Sequence, residues 1–190
     1  MTDRQKVLEA MERRERSRFL PEHDRRSSAF NHPVSIGHGQ TNSQPSTVVD
    51  MIVLLDVEPG HCVLDVGAGS GWSTAILGDL VGPEGSVTAT EIVPDLAARA
   101  RSALEGEGLP WVTLHHADPK RLGWPDNAPY DRILVSAMPS RLPVRLVDQL
   151  GPGGIMVIPV AGRMLKIVRE GSEPRVTEHG LYRFVPLIGT

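Results

Sequence analysis

Residues 63–73 read Val63-Leu64-Asp65-Val66-Gly67-Ala68-Gly69-Ser70-Gly71-Trp72-Ser73, and this stretch decides the fold. Val63, Leu64 and Val66 make a short apolar run that stops at three alternating glycines, and a helix-like segment, Trp72 to Leu80, follows at once. That is the pattern of a buried strand, a tight turn and a helix N-terminus. Glycine serves where the backbone takes positive φ or where a ligand must touch the main chain. The helix start adds unpaired N–H donors and a partial positive charge, which favour an anionic group such as a carboxylate or phosphate. Asp65 falls at the carboxyl edge of the strand, where ligands sit in open α/β sheets.

A second acid sharpens a signal that glycines alone leave weak. Val87 to Thr90 reads as the next strand, and Glu91 closes it 20 positions beyond Gly71. An acid at about that distance reaches a ribose hydroxyl; the alternative is a surface glutamate opening the next helix. The spacing Gly67, Gly69, Gly71 is G-x-G-x-G rather than the G-x-G-x-x-G of dinucleotide folds, which argues against hydride transfer.

Upstream, Thr2 to Arg18 is expected to be helical, capped by Asp3, with Val7, Leu8 and Met11 on one face. Its arginines (Arg13, Arg14, Arg16, Arg18) interleave with Glu9, Glu12 and Glu15, so a solvated, salt-bridged face is expected rather than a nucleic-acid patch. Pro21 to His38 has no period and is expected to be a long, functional loop. The segment Ile36 to Pro45 then enters a helix that either Ser43 or Ser46 could cap, with Pro45 in its first turn and Val48, Val49, Ile52, Val53 and Leu55 buried.

Downstream, a helix is expected over Pro94 to Glu107, a strand over Trp111 to His115, and a polar loop over Pro119 to Pro129. A strand over Asp131 to Ser136, a short helix over Pro143 to Leu150 and a sharp turn at Gly151-Pro152-Gly153-Gly154 lead into a strand over Ile155 to Val160. Two further strands, Met164 to Arg169 and Leu181 to Leu187, close the chain. Strands separated by helices imply right-handed β-α-β units and a doubly wound parallel sheet.

Composition sets the frame. The chain has 190 residues, 40% hydrophobic and 23% charged, which suits one soluble globular domain. A net charge of -3 gives no drive toward nucleic acid. Cys62 is the only cysteine, so no internal disulfide forms and a cytoplasmic location is expected; within its strand it reads as a small buried apolar residue. No metal-ligand spacing, signal peptide or membrane-spanning stretch is visible.

Several motifs carry a family resemblance. The D-V-G-A-G-S-G turn, Glu91, Asp118 after the third strand and the G-P-G-G turn resemble a class I S-adenosylmethionine-dependent methyltransferase. I-G-H-G-Q-T-N-S-Q-P-S (Ile36 to Ser46) resembles the protein-L-isoaspartate O-methyltransferase segment usually written I-G-x-G-Q-T-I-S-Q-P. T-E-I-V-P-D-L (Thr90 to Leu96), G-W-P (Gly123 to Pro125), A-P-Y-D-R-I (Ala128 to Ile133), R-F-V-P-L (Arg183 to Leu187), V-L-E-A-M (Val7 to Met11) and F-L-P-E (Phe19 to Glu22) are similar to that family as well.

The resemblance implies a doubly wound, mostly parallel Rossmann-like methyltransferase sheet with helices on both faces and a C-terminal antiparallel strand pair. It implies one domain, 1–190, with a substrate-side part over 1–58, a cofactor core over 59–160 and closing strands over 161–190. The implied reaction moves the methyl of S-adenosylmethionine onto the α-carboxylate of an isoaspartyl residue in a protein or peptide; the ester collapses through a succinimide toward aspartate. Ser43 is the implied catalytic residue, orienting the carboxylate through its hydroxyl. Gly67, Ala68, Gly69, Ser70 and Gly71 would admit the methionine part of the cofactor with Asp65 near its ammonium group. Glu91 would take the ribose, Ile92 would pack on adenine, and Asp118 with Pro119 would sit at its edge. Thr41, Asn42 and Gln44 complete the implied cofactor set. Ile36, His38, Gln40, Ser136, Ala137, Pro159 and Val160 are the implied substrate contacts.

No metal, nucleic acid or membrane partner is implied, and a monomer or weak oligomer is expected. Two departures stand out: Pro119 replaces a usual glycine and supplies no N–H, and Asn42 replaces an apolar isoleucine. They leave room for a different carboxylate acceptor, or for a module that binds S-adenosylmethionine without turnover.

Overall fold

A computed structural model describes residues 3–171 and 173–189. Among these the main sheet has seven strands, β3 (Cys62–Val66), β4 (Ser86–Glu91), β5 (Val112–His116), β6 (Tyr130–Val135), β7 (Leu150–Val160), β8 (Arg163–Val168) and β9 (Arg175–Leu181), in the order β5-β4-β3-β6-β7-β8-β9. The β3 strand pairs in parallel with both β4 and β6, so the order reverses beside it. That reversal opens a crevice at the carboxyl ends of β3 and β6, the place where open α/β sheets take ligands. Strands β7, β8 and β9 are joined by antiparallel pairings and follow one another in sequence order.

Alternation along the strands puts successive side chains on opposite faces. Val63, Leu134, Ile155 and Val157 face a core shared with α1 (Arg4–Arg13), α2 (Pro45–Leu55), α3 (Trp72–Val81) and α4 (Pro94–Glu105). Leu64, Ile133, Met156 and Ile158 face a second core closed by the short α5 (Val144–Val147) and by Leu122 and Trp124 of the loop before β6. Helices thus cover both faces, unequally. The helix α3 can lie close because Gly78 has no side chain: a Cβ there would come within 2.5 Å of Val112.

Several expectations are corrected. The first helix ends at Arg13, and Arg16–Phe19 is a separate 3₁₀ turn; Asp3 does cap it, accepting from Gln5 N at 3.0 Å, and Thr2 lies outside the described residues. Leu8 is exposed, and Val7 and Ala10 make the buried face. Arg13 and Arg18 are exposed and salt-bridged as expected, but the partners are not the interleaved glutamates: Arg13 and Arg14 pair with Asp79 of α3, and Arg14 and Arg18 with Glu107, while Arg16 is buried. Pro21 to His38 contains a 3₁₀ segment, Glu22–Ala29, and then β1 (Val34–Gly37), which pairs antiparallel with β2 (Gln40–Asn42). Gln44, not Ser43 or Ser46, is the N-cap position of α2, with no side-chain cap bond.

Gly151 to Gly154 is not a turn before β7 but an irregularity inside it, where the pairing with β6 shifts register between Tyr130 and Arg132. Gly154 is required there, since a Cβ would stand 2.9 Å from Gly151 O. The last strand is Arg175–Leu181 rather than Leu181 to Leu187, which instead runs along the loop after β6. Cys62 is half-buried, with its sulfur 2.9 Å from Ser86 Oγ.

Candidate active site

The turn after β3 is held by the end of β4. Gly67 N and Ala68 N donate to Thr90 O at 2.9 and 3.1 Å, and Gly69 N donates to Glu91 Oε2 at 2.8 Å. All three turn glycines have positive φ, 80°, 56° and 87°, which L side chains rarely adopt. The other oxygen of Glu91 accepts from Val93 N at 2.9 Å. Glu91 is buried, not a surface residue opening α4, and its carboxylate keeps lone pairs for further donors.

Asp65 is fully buried behind the turn. Its Oδ2 accepts from Ser73 Oγ at 3.0 Å and Thr74 Oγ1 at 2.7 Å, while Oδ1 has no hydrogen-bond partner among the described residues. Burial pushes its carboxyl up to about 6, against the lowering by the two hydroxyls, with Glu91 adding to the rise.

Two adjoining cavities open at this turn. One, about 440 Å³ with its mouth, is walled by Thr41, Asn42, Ser43, Gly67, Ala68, Gly69, Ser70 and Ser136 together with Trp72 and Ser73. The other, about 670 Å³ with its mouth, is walled by Gln40, Thr41, Gly67, Gly69, Glu91, Ile92, Asp118, Ser136 and Ala137. Thr41, Gly67, Gly69 and Ser136 belong to both, so the β1–β2 hairpin and the turn meet around one space.

Other sequence-predicted residues stand back from these walls. Gly71 packs against Ala100 of α4, where a Cβ would come within 3.3 Å. Gln44 lies at the start of α2 with its Nε2 donating to Ser46 Oγ at 2.9 Å. Ile36 is buried with Leu20, Val34 and Leu96 and supports Gly69 from behind. His38, in the left-handed region at φ 56°, faces Asp95 at 3.3 Å over an outer groove. Pro159 and Val160 are buried at the end of β7 against Met164 and Arg163. Pro119 is exposed beneath Gly189, and Asp118 Oδ1 accepts from Lys120 N at 2.9 Å.

The structure adds two features that the sequence pattern did not mark. The chain end Val185 to Gly189 walls the larger cavity, tied to the loop after β6 by Met138 N to Val185 O at 2.8 Å and Leu187 N to Met138 O at 3.0 Å. R-F-V-P-L was noticeable as a motif, but its alternation suggested only a strand. The second feature is Arg16, buried to 5% exposure. Its guanidinium donates to the carbonyls of Phe30 (3.0 Å), His32 (2.8 Å), Asn42 (3.3 Å) and Ser43 (2.9 Å), and to Asn42 Oδ1 at 2.6 Å. Desolvation lowers its pKa to about 10, so it stays charged at neutral pH. Nothing in a run of surface-type arginines singles it out.

A parallel sheet reversing at a glycine turn, with a buried acid at the end of the next strand, defines a doubly wound, Rossmann-like α/β fold. Within that class the family is specific. The chain belongs to the protein-L-isoaspartate(D-aspartate) O-methyltransferase family, whose model matches residues 1–190. It is 43% identical over 189 residues to the protein-L-isoaspartate O-methyltransferase of Methanopyrus kandleri, covering 97% of this chain and 84% of that protein. It is 45% identical over 189 residues to the enzyme of Aeropyrum pernix, covering 97% of this chain and 73% of the other. In fold it is similar to a solved putative protein-L-isoaspartate O-methyltransferase from Plasmodium falciparum in complex with S-adenosyl-L-homocysteine: TM-score 0.85, 23% identity, 100% of this chain and 93% of that one.

Proposed function

We propose that the protein methylates the α-carboxylate of L-isoaspartyl residues in proteins or peptides, with S-adenosylmethionine as donor, as a step of protein repair. The observation that carries this reading is that Thr41, Asn42 and Ser43 share a cavity wall with Gly67 to Ser70. The residues fit the donor: Asp65 has a buried oxygen without a described partner, suited to the field of a cationic group, and Glu91 has spare acceptor capacity at the larger cavity. S-adenosylmethionine would supply a methyl on a sulfonium centre, to whose carbon an acceptor carboxylate oxygen, already ionised at pH 7, bonds as the C–S electron pair leaves to sulfur.

No strong base is needed, so the protein's work is placement and exclusion of water. Ser43 sits on the cavity wall with its carbonyl fixed by Arg16, and its hydroxyl serves to orient the acceptor carboxylate. Glu91, Ile92 and Asp118 line the larger cavity, where Glu91 would hold the ribose, Ile92 would pack on the base and Asp118 would accept from its amino group. The acceptor is a protein or peptide; nucleic acid has no part. The lone cysteine supports a cytoplasmic location. Among the described residues no helix is long and apolar enough to cross a membrane.

The test is methyl transfer from labelled S-adenosylmethionine to a peptide with one isoaspartate, beside its aspartyl twin. Base-labile label on the first alone is expected. Label on neither, with S-adenosylmethionine still bound, would move the acceptor to another carboxylate.

A further inference from the structure

The hairpin that leads to Ser43 and the glycine turn after β3 are joined by one side chain. Asn42 is 5% exposed, in a place where an apolar residue is expected from the family resemblance. Its Oδ1 accepts from Arg16 Nε at 2.6 Å, and its Nδ2 donates to Ser70 Oγ at 2.8 Å. The amide orientation follows from chemistry, because a guanidinium only donates and must face the oxygen. Arg16 is itself immobilised by its four carbonyl acceptors and lies 5.4 Å from the centre of the Trp72 ring. The chain Arg16–Asn42–Ser70 therefore runs from a fixed anchor, through the acceptor-side strand, to the turn.

We propose that Asn42 is a positioning residue for methyl transfer, a polar latch that fixes the distance between Ser43 and the Gly67–Gly71 turn. The proposal rests on the reading of the site given above. An isoleucine at this position would leave Arg16 Nε without its acceptor and remove the side-chain bond between the hairpin and the turn. In-line displacement is sensitive to slippage between the two, since about 1 Å of misplacement costs on the order of a hundredfold in rate.

The experiment compares Asn42→Ala, Ser70→Ala, their double variant and Ser70→Thr, which keeps the oxygen. Each alanine variant is expected to lower kcat on the isoaspartyl peptide about tenfold, with KM for S-adenosylmethionine within about twofold. The double variant should be no slower than the worse single one, because the two groups form one link, and Ser70→Thr should recover most of the rate. In the protein without cofactor, the Gly69 and Gly71 amides should exchange hydrogen faster in both alanine variants. Unchanged kcat in either, or losses that multiply in the double variant, would overturn the latch. If the wild-type protein methylates no isoaspartyl peptide, the functional reading fails and amide exchange alone decides. Faster exchange in both variants then carries the latch, and wild-type exchange in either removes it.

Discussion

The two walls of the site are built in opposite ways. The donor wall, Gly67 to Gly71, is held by backbone amides bonded to Thr90 and Glu91 of the neighbouring parallel strand. The hairpin wall, β1, β2 and Ser43, which the proposed function puts on the acceptor side, is held from outside by side chains: the buried Arg16 guanidinium, the Arg99 guanidinium on Ile36 O and the Asn42 amide. The Gly67 and Ala68 bonds to the Thr90 carbonyl come with the fold, and only the Gly69 bond depends on a side chain, that of Glu91. A side-chain anchor depends on single residues and fails when one is changed. Tolerance to substitution should therefore differ sharply between the walls.

Arg16→Met should break this contrast open most widely. It removes the Arg16 bonds to Asn42 and Ser43 and leaves buried carbonyls unsatisfied, a loss of about 3 kcal/mol, or roughly 6–12 °C in Tm at this size. Thermal unfolding reads it; a loss below about 1 kcal/mol would mean that the backbone alone holds the hairpin. On the donor wall, Glu91→Ala removes the acceptor for Gly69 and Val93. Binding of S-adenosylhomocysteine by calorimetry should weaken about a hundredfold, and Glu91→Gln, which keeps an acceptor oxygen, should lose less.

Ser43→Ala sharpens the comparison from the chemical side. It should lower kcat about tenfold or somewhat more with product affinity unchanged, because the Arg16 bond goes to the Ser43 carbonyl, which the variant keeps. Equal losses in kcat and cofactor affinity would place Ser43 on the donor side instead.

A separate effect is in the pH dependence of stability. Asp65 is raised to about 6 in the folded protein, above the ordinary carboxylate value of about 3.9. Between those values the native state holds the extra proton, so this group makes stability fall as pH rises from about 4 to 6. Asp65→Asn should flatten that slope in urea unfolding measured across the range. A slope unchanged in the variant would show that Asp65 titrates normally.

The cofactor side was legible because its determinants are local. Strand, glycines, helix and Glu91 lie within 63–91, and spacing alone brings an acid to the turn. The acceptor side was legible as a motif but not as a structure. Ile36 to Ser46 resembled a known segment, yet the hairpin, the uncapped Ser43 and the buried Asn42 were not readable from it. Turn glycines at 37 and 39 flank His38, and with positive φ at all three they fold the segment back into β2. The mistaken strand at Leu181 to Leu187 has a similar cause, since alternation cannot tell a paired strand from an extended segment lying on a loop.

By itself, the sequence determined the doubly wound sheet, the glycine turn with its two acids and the family to which the chain belongs. Each is written in short-range periodicity or in contiguous motifs. Only the tertiary structure decided that Arg16, one of four arginines in an ordinary charged run, is the buried one that fixes Ser43. It also decided that the chain end closes the larger cavity, and that Asn42 ties the two walls together. Such choices rest on contacts between residues 26 to 28 positions apart or more, where burial selects one charged side chain over its neighbours. No local pattern encodes that selection.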